Sequence, residues 1–328
     1  MAIIGIETVL YGVNDVAECT RYFDDFGLPL LEKSEAHAHF RLAEGSNVIL
    51  RHINDPQIPK SGLNGTGVCE VIWGVDRQDS LDRLVASLAT DREVRVDADG
   101  TAHCVADDGL AIGFRLYKKN PVVTAPDPVN SPGNVNRINT QRKWCVRARP
   151  KTIAHVVFQV PDTEASWTFY RDRLGFKLSD IQKGFGIFAR ADGATDHHNI
   201  YFLNANLPFP TLDGKLRFDH VNYGVEDLDE VMVGSNYMQR KGWAPSVWGL
   251  GRHRIASSIF LYLPCPTGGQ AEYGADSDVI DDAWVPRVWN PMFGFFTFIT
   301  NMQPFMLDAA PWEWEYAPGY TPEPKPRA

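Results

Sequence analysis

The sequence predicts an α+β protein of two domains, each built from two βαβββ modules. Three observations predict this fold. An alternating apolar segment that ends in an acidic turn occurs four times along the chain. An amphipathic helical pattern follows each copy, and short strand-like segments follow each helix. A chain of 328 residues with 44% hydrophobic side chains can fill two cores of ordinary size.

The first strand of each module has the strongest pattern. Apolar residues alternate with polar or small ones, and an acidic turn follows, which is typical of a half-buried strand that leads into a helix. The second copy is looser than the other three. The four segments read IGIETVLYGVND (4–15), VCEVIWGVDRQ (68–78), IAHVVFQVPD (153–162) and RFDHVNYGVED (217–227).

The segment after each first strand predicts an amphipathic helix, and modules three and four carry the expected caps. Asp162 and Asp227 occupy the predicted N-cap positions, while Gly175 and Gly242 occupy the predicted C-cap positions. The predicted later strands of these modules lie within GFGIFARAD (184–192), HHNIYFLN (197–204), SSIFLYLP (257–264) and GGQAEYGA (268–275).

Two modules make a domain, so the chain is expected to divide into four parts. The segment 118–144 is dense in Pro, Asn and Gly and predicts an ordered linker. After residue 280 the repeat gives way to an aromatic-rich tail, which must bury its rings over the C-terminal domain or in an oligomer interface. The predicted parts are an N-terminal domain (1–120), a linker (121–149), a C-terminal domain (150–280) and the tail (281–328).

Composition favours a small-molecule ligand. The formal charge of −9 and the absence of a Lys/Arg run argue against a nucleic-acid partner. No stretch approaches the ~18 apolar residues of a membrane span, and the N-terminus lacks the features of a signal peptide. The five cysteines are scattered without a CxxC pair, so we expect reduced structural thiols. These features predict a soluble cytoplasmic protein.

Three side chains on predicted strands of the C-terminal domain form a candidate metal site. His155 and His220 occupy equivalent positions of two repeats, and Glu272 lies on the last strand of module four. The neighbours two positions away are often polar, which predicts a lined cavity because unpartnered polar groups are costly to bury. Two imidazoles and one carboxylate suit non-haem Fe(II) and O₂ chemistry. The N-terminal modules carry Thr8 and Glu70 at the positions of the two histidines, so a metal is predicted in the C-terminal domain alone.

The segment GLGRHRIASSIFLYLPCPTGGQAEYGAD (249–276) contains a GRH turn, a strand with a tyrosine, a glycine turn and a glutamate. It resembles the signature of the vicinal oxygen chelate superfamily and, within it, of the two-domain type I extradiol catechol dioxygenases. The resemblance covers about residues 3–280 and is weak in the N-terminal half. It implies that His155, His220 and Glu272 bind Fe(II), with Mn(II) as the alternative metal, and that O₂ is a co-substrate.

The same resemblance implies roles for residues around the metal. His198, in the HHN motif, matches an acid/base residue. Adjacent strand residues face opposite ways, so its neighbour His197 is expected either to support the site residues without touching the substrate or to be structural. His253 of the GRH turn would donate a hydrogen bond to a catecholate oxygen, and Tyr262 would do likewise or help deprotonate the substrate. The chain departs from the family at Ala256, where many members carry an aspartate, so the hydrogen bond of that aspartate is expected to be missing.

The resemblance therefore implies an extradiol ring-cleaving dioxygenase that acts on a catechol-type diol in the degradation of aromatic compounds. Two alternatives stay open: another metal-dependent enzyme of the superfamily, such as a glyoxalase-like isomerase or a thiol transferase, and a metal-free protein that binds an aromatic ligand. The sequence leaves open which ring is cleaved and on which side of the diol. It also implies a homo-oligomer without fixing the number of subunits.

Overall fold

The structure is a computed structural model that describes residues 3–306 and 311–320. The remaining parts of the predicted tail, 307–310 and 321–328, lie outside the described residues. Strands dominate the described part of the chain and form two sheets of eight and eleven strands. Within these residues no helix is both long and apolar enough to cross a membrane.

The first sheet contains the two N-terminal modules. Each module consists of a long first strand, a helix and three shorter strands, as the sequence predicts. The first module comprises β1 (Ile3–Val13), α1 (Val16–Phe26), β2 (Leu30–Lys33), β3 (His37–Arg41) and β4 (Asn47–His52), and the second comprises β5 (Gly67–Val75), α2 (Gln78–Leu88), β6 (Arg95–Val96), β7 (Ala102–Val105) and β8 (Ala111–Leu116).

The second sheet is built on the same plan from modules three and four. The third module comprises β9 (Thr152–Val160), α3 (Thr163–Leu174), β10 (Lys177–Gln182), β11 (Gly186–Arg190) and β12 (Ile200–Asn204), and the fourth comprises β13 (Arg217–Gly224), α4 (Leu228–Arg240), β14 (Gly251–Arg252), β15 (Ile259–Pro264) and β16 (Gln270–Ala275).

Strand pairing repeats in every module. The first strand pairs parallel with the last strand of its own module, as in β9 with β12 and β13 with β16. The first strands of the two modules in a sheet pair antiparallel, β1 with β5 and β9 with β13. This pairing confirms the predicted α+β fold of four βαβββ modules.

The helix caps follow the predicted chemistry with one shift. The side chains of Asp162 and Asp227 accept hydrogen bonds from backbone N–H groups of the first helical turn. Gly175 ends α3 with φ of 75°, a left-handed conformation that favours glycine. The C-cap of α4 is Lys241 rather than Gly242, which follows it with φ of 87°.

The described part of the tail packs on the second sheet and adds strands to both of its edges. Strand β17 (Arg287–Trp289) pairs with β10 and in turn with β19 (Trp314–Tyr316). Strand β18 (Phe298–Ile299) extends the opposite edge beside β14, and the short helix α5 (Pro291–Phe295) connects the two edges. These residues therefore lie over the C-terminal sheet, one of the two locations expected for the tail.

The two sheets share one apolar core cluster. Side chains from β1 and β13 meet at the Tyr11 and Tyr223 hydroxyls, which lie 3.0 Å apart. Between the sheets the chain runs through the linker without a helix or a strand ladder, and Arg142 ties the linker to Asp227 and Asp229 at the start of α4.

Candidate metal centre

Strand register brings the three predicted ligands to one face of the second sheet. His155 on β9 lies opposite Asn222 on β13, and Asn222 lies beside Glu272 on β16. His220 precedes Asn222 by two residues and shares its face. Tyr262 on the next strand, β15, lies opposite Glu272. The antiparallel and parallel pairings of four adjacent strands therefore place these side chains in one compact group.

The ligand atoms are close enough to share one metal ion. The Nε2 atoms of His155 and His220 each lie 3.3 Å from the same oxygen, Oε2 of Glu272. All three candidate ligand atoms lie within 4.8 Å of one another. Two atoms each about 2.1 Å from an ion lie roughly 3.0 Å apart at a right angle and about 3.4 Å apart at the tetrahedral angle. The two distances from the imidazole nitrogens to Oε2 of Glu272 fall inside that interval.

The carboxylate of Glu272 gives an independent test of whether a metal fits. It is 1% exposed, and neither of its oxygens accepts a hydrogen bond with proper geometry from the residues that the structure describes. A buried, ionised carboxylate is costly unless a cation compensates it, and either protonated His220, 3.3 Å away, or a metal ion that displaces its proton can do so. The donor set of two imidazole nitrogens and one carboxylate oxygen therefore fits a divalent metal ion at this point.

Electrostatics leave Glu272 and His155 in the protonation state that a metal needs, but not His220. Burial opposes ionisation of Glu272, but the adjacent imidazoles outweigh it and lower the pKa of Glu272, so the carboxylate is ionised. Burial lowers the pKa of His155, which is therefore neutral at pH 7. Burial also acts against the charged form of His220, but hydrogen bonding to Asp219 and the proximity of Glu272 raise its pKa to about 9. A metal at His220 must displace that proton.

Asp219 supports His220 and was not predicted from the sequence. Its Oδ1 lies 2.7 Å from Nδ1 of His220, and its Oδ2 accepts a hydrogen bond of 2.8 Å from Gln159. Because Nδ1 is held by the carboxylate, Nε2 of His220 is the nitrogen left for a metal. The β13–β9 pairing shifts register between Phe218 and His220. This irregularity breaks strict alternation and lets two adjacent side chains contact each other.

His198 lies against the ligand group from the third module. Its ring stacks on that of His155, with centroids 4.1 Å apart. The HHN residues precede β12 rather than lying on it, so the expectation that they alternate like strand residues was wrong. Instead Nδ1 of His197 and Nδ1 of His198 lie 3.1 Å apart. Asn199 fixes this turn through hydrogen bonds to Ala191 N–H and to Asp196.

Burial and the surrounding imidazoles lower the pKa of His198 well below its usual value. The ring is therefore neutral at pH 7. A neutral imidazole has one nitrogen that donates and one that accepts, and Nδ1 is engaged by His197. The Nε2 atom of His198 is the one that remains for a ligand in the cavity.

His253 and Tyr262 form a second polar pair beside the ligands. Nε2 of His253 lies 3.0 Å from the Tyr262 hydroxyl, and Nδ1 lies 2.6 Å from the carbonyl oxygen of Phe295 in the tail. A carbonyl can only accept, so Nδ1 carries the proton and Nε2 accepts from the tyrosine. Burial lowers the pKa of His253 to about 4. Burial and the charge of Glu272 raise the pKa of Tyr262, so its hydroxyl stays protonated.

Ala256 lies in the cavity wall three residues after His253. The chain has no carboxylate there, as the sequence indicates, and the tail carbonyl of Phe295 holds Nδ1 of His253 in its place. Ala256 has φ of 65° and Ser257 has φ of 52°, a left-handed turn that side chains other than glycine adopt at some cost. The Ala256 carbonyl accepts a hydrogen bond from Asp278 N–H, and Ser257 Oγ donates to the Asp278 carboxylate.

These residues surround a cavity of about 800 Å³. One part of its wall is apolar and includes Phe185, Phe188 and Leu203 together with Phe209 and Leu212 from the loop between β12 and β13. Asp196, Asp276 and Asp278 line another part. Within residues 3–306 and 311–320, the lining side chains include no lysine or arginine. The cavity therefore suits a neutral or cationic ligand with an apolar group.

The N-terminal modules pair the equivalent positions in the same way but fill them differently. Thr8 donates a hydrogen bond to Glu7, and the carboxylate of Glu70 lies 2.6 Å from Nδ1 of His103. The buried polar groups here satisfy each other. Across the described ranges 3–306 and 311–320, the group of His155, His220 and Glu272 is the one set of three or more such side chains placed to share a metal ion.

Comparison with known proteins identifies relatives of part of this chain. Residues 152–231 match the Glyoxalase/Bleomycin resistance protein/Dioxygenase superfamily. Metapyrocatechase 2 of Cupriavidus necator is 31% identical over 180 residues, which are 54% of this chain and 53% of that protein. An iron-dependent extradiol dioxygenase of Rhodococcus jostii (strain RHA1) is 32% identical over 148 residues, 41% of this chain and 47% of that protein. The chain thus matches about half the length of these relatives.

The fold extends the likeness to the whole chain. A Mn(II)-bound glyoxalase from Novosphingobium aromaticivorans superposes with a TM-score of 0.68 over 97% of this chain and 97% of that one, at 23% identity. At that identity the superposition shows a shared fold. The match over residues 152–231 is to the same superfamily that the segment 249–276 resembles, and one of the two relatives is named an extradiol dioxygenase, the predicted type of enzyme.

Proposed function

We propose that this chain, which carries the superfamily match and fold described above, is an extradiol dioxygenase that opens the ring of an aromatic diol with O₂. One observation carries the proposal. Two imidazoles and an ionised carboxylate converge on one point, and three further side chains able to hold or move protons, His198, His253 and Tyr262, surround the same point. The relatives named above, which match over half their length, support the same reaction class.

We assign the metal as Fe(II), held by Nε2 of His155, Nε2 of His220 and an oxygen of Glu272. A metal held by these three protein ligands would have coordination positions left for a substrate. Fe(II) bound there supplies a redox-active centre that chelates the adjacent oxygens of a diol and accepts O₂. A relative named as iron-dependent supports this choice, and Mn(II) is the alternative that the fold relative bears in its name.

The protein residues contribute binding and proton transfer. Tyr262 stays protonated and donates its one hydroxyl proton to Nε2 of His253, so its oxygen is left to accept a hydrogen bond from a diol hydroxyl. The Nδ1 proton of His253 is held by the Phe295 carbonyl, so His253 has no proton for the catecholate hydrogen bond that the resemblance implies. His198 lies across the ligand group with a neutral ring, so its Nε2 can take a proton from the diol and return it after the ring is attacked. The stacking of His198 on His155 keeps that nitrogen beside the metal position.

The apolar part of the cavity lining and the lack of a lysine or arginine among the described lining residues support an uncharged diol with an apolar substituent as the substrate. Aromatic side chains pack along the wall. Phe188 stacks on Tyr201 with centroids 4.0 Å apart, and Phe185 meets Phe209 edge to face with centroids 5.9 Å apart. A carboxylated catechol would bury its anion without a cation among the lining residues described, which is costly. We therefore propose a catechol with an alkyl or aryl substituent and place the ring-cleavage reaction in the breakdown of such compounds.

The test is oxygen uptake by the full chain reconstituted anaerobically with Fe(II). A panel of catechol, 3-methylcatechol, 2,3-dihydroxybiphenyl and 3,4-dihydroxyphenylacetate separates neutral from carboxylated rings. We expect one O₂ consumed per diol, a yellow ring-fission product, and the lowest kcat/KM for the carboxylated ring. Glu272→Ala should abolish uptake, whereas Glu164→Ala, an exposed glutamate on α3, should retain it. Uptake that persists in Glu272→Ala would contradict the assignment.

The fold relative favours one rival, an isomerase of the glyoxalase kind. Such an enzyme rearranges its substrate without consuming O₂. Turnover of a hemithioacetal under argon, with no O₂ uptake on any diol of the panel, would favour the rival over ring cleavage. We also propose that the protein self-associates, and the molar mass measured by light scattering tests this.

A further inference from the structure

A buried carboxylate and two imidazoles form a continuous chain that ends at the cavity. Oδ2 of Asp180 on β10 lies 3.1 Å from Nε2 of His197, and Nδ1 of His197 lies 3.1 Å from Nδ1 of His198. Asp180 is 1% exposed and His197 is 2% exposed. Bulk water therefore does not replace either contact, and the contact between Asp180 and His197 and the contact between His197 and His198 depend on each other.

The tail holds the outer end of this chain. Strand β17 pairs with β10 so that Asp180 lies beside Arg287, whose backbone N–H donates a 2.6 Å hydrogen bond to Oδ1 of Asp180. Trp284 packs its ring against His197, with centroids 5.6 Å apart, and its Nε1 donates to the Ser179 carbonyl. One carboxylate oxygen is thus bound to the backbone, and the other is directed at His197.

On the basis of the proposed ring-cleaving function, we propose that Asp180 and His197 are positioning residues that fix the orientation of His198 and determine which of its nitrogens carries the proton. The argument follows from the donor and acceptor capacity of each atom. A carboxylate accepts, so Nε2 of His197 carries a hydrogen. In neutral His197 the Nδ1 atom then accepts, so the Nδ1 atom of His198 must donate. The Nε2 atom of His198 is left with its lone pair toward the cavity.

This arrangement also supplies a place for a proton during the reaction. When Nε2 of His198 takes a proton from the diol, its Nδ1 proton can pass to Nδ1 of His197. The positive charge then rests on His197 beside the Asp180 carboxylate, which stabilises an imidazolium. His198 stays neutral and holds a hydrogen on Nε2. The reverse transfer returns the proton to the opened ring, so no proton is gained or lost over the cycle.

A purely structural role for His197 would need no particular proton arrangement on His198. Phe188 and Trp284 flank His197, and their packing would hold an aromatic ring of any kind in place. The contact between two Nδ1 atoms is different, because two protonated nitrogens cannot face each other across 3.1 Å. The proton positions of His197 and His198 are therefore linked, and the carboxylate of Asp180 sets the direction of that link.

The test compares Asp180→Asn and His197→Phe with the wild-type chain. Asp180→Asn keeps the shape of the side chain but removes the charge, and His197→Phe keeps a ring but removes both nitrogens. Trp284→Phe is the matched control, because it keeps a ring against His197 and alters neither the Asp180–His197 contact nor the His197–His198 contact. The first readout is the ¹⁵N spectrum of the histidine side chains in the full chain loaded with diamagnetic Zn(II), which reports the protonated nitrogen of His198 without any turnover.

We expect His198 to be protonated on Nδ1 in the wild type and in Trp284→Phe, and to lose that preference in Asp180→Asn and His197→Phe. With Fe(II), kcat should fall by about 100-fold in the two variants, as for loss of an acid/base contribution, while KM and bound metal change less than about threefold. An unchanged His198 spectrum or an unchanged kcat in both variants would overturn the inference. A wild-type chain with the expected spectrum but no O₂ uptake would instead contradict the proposed function and leave the positioning role standing.

Discussion

The proton on His220 should make metal binding strongly dependent on pH. His220 carries a pKa of about 9 because the Asp219 and Glu272 carboxylates outweigh its burial, whereas the lowered pKa of His155 leaves that ring neutral at pH 7. A metal ligand must be neutral imidazole. Removing the His220 proton at pH 7, two pH units below its pKa, costs about 2.7 kcal/mol, which is roughly a hundredfold in affinity.

The affinity for the metal should increase with pH. A raised pKa means that the proton competes with the metal below pH 9, so affinity should rise about tenfold per pH unit between pH 7 and pH 9 and level off above it. Competition with a chelator of known affinity measures this for Mn(II) under argon, after correction for protonation of the chelator. Calorimetry in two buffers of different ionisation enthalpy should detect about one proton released per metal at pH 7.

Asp219→Asn separates the two roles of the aspartate. The variant loses the anion that raises the pKa of His220, so the slope between pH 7 and pH 9 should flatten. It also loses the support for the His220 ring, so the plateau affinity should fall by about 10- to 100-fold. Asp213→Asn, in the exposed loop before β13, is the matched control and should keep both slope and plateau. An affinity that does not change between pH 7 and pH 9 in the wild type would refute this account of His220.

Three further substitutions test the apolar cavity wall, the cap of α5 and the packing of α1 on β16. Phe209→Ala removes roughly 50 Å² of apolar contact area at about 25 cal/mol per Å². The KM for a phenyl-substituted catechol should therefore rise about tenfold, while the KM for catechol stays near its wild-type value. Equal changes in KM for both substrates would contradict the assigned apolar wall. Asn290→Ala removes the cap of α5, which should cost about 1 kcal/mol and raise KM by loosening the Phe295 carbonyl on His253, as thermal unfolding and kinetics can measure. Phe26→Ala breaks the stack of Phe26 on α1 against Tyr273 on β16, with centroids 4.0 Å apart. It should lower the free energy of unfolding by about 3–5 kcal/mol in urea titrations, and a loss under about 1 kcal/mol would show that the first and fourth modules do not depend on this contact.

Periodic features of the fold and the site were accessible from the sequence. The four alternating first strands and the caps of the helices that follow them predict the βαβββ repeat. The repeat aligns His155 with Thr8 and His220 with Glu70, and the strand register gives the same alignment. Parity on a strand then places His220 on the face of Asn222. These inferences succeed because backbone periodicity determines which side of a sheet a residue faces.

The supporting contacts were not accessible, for identifiable physical reasons. Asp219 contacts the adjacent His220 because a register shift in the strand breaks alternation, and no residue pattern marks that irregularity. Asp180 reaches His197 from strand β10, seventeen positions away in the sequence. The partner of Nδ1 of His253 is the backbone carbonyl of Phe295, which any residue could supply. Contacts between residues distant in sequence, or with backbone atoms, cannot be predicted from the residue types alone.

Isotope labelling of the product tests the central claim most directly. The full chain, loaded with one Fe(II) per molecule under argon, is mixed with 2,3-dihydroxybiphenyl and ¹⁸O₂, and the product is analysed by mass spectrometry immediately after mixing. Ring cleavage at the site of His155, His220 and Glu272 predicts a ring-opened product that carries both atoms of the labelled O₂, and none in Glu272→Ala. Recovery of intact diol from an iron-loaded chain, with no label incorporated, would contradict the account.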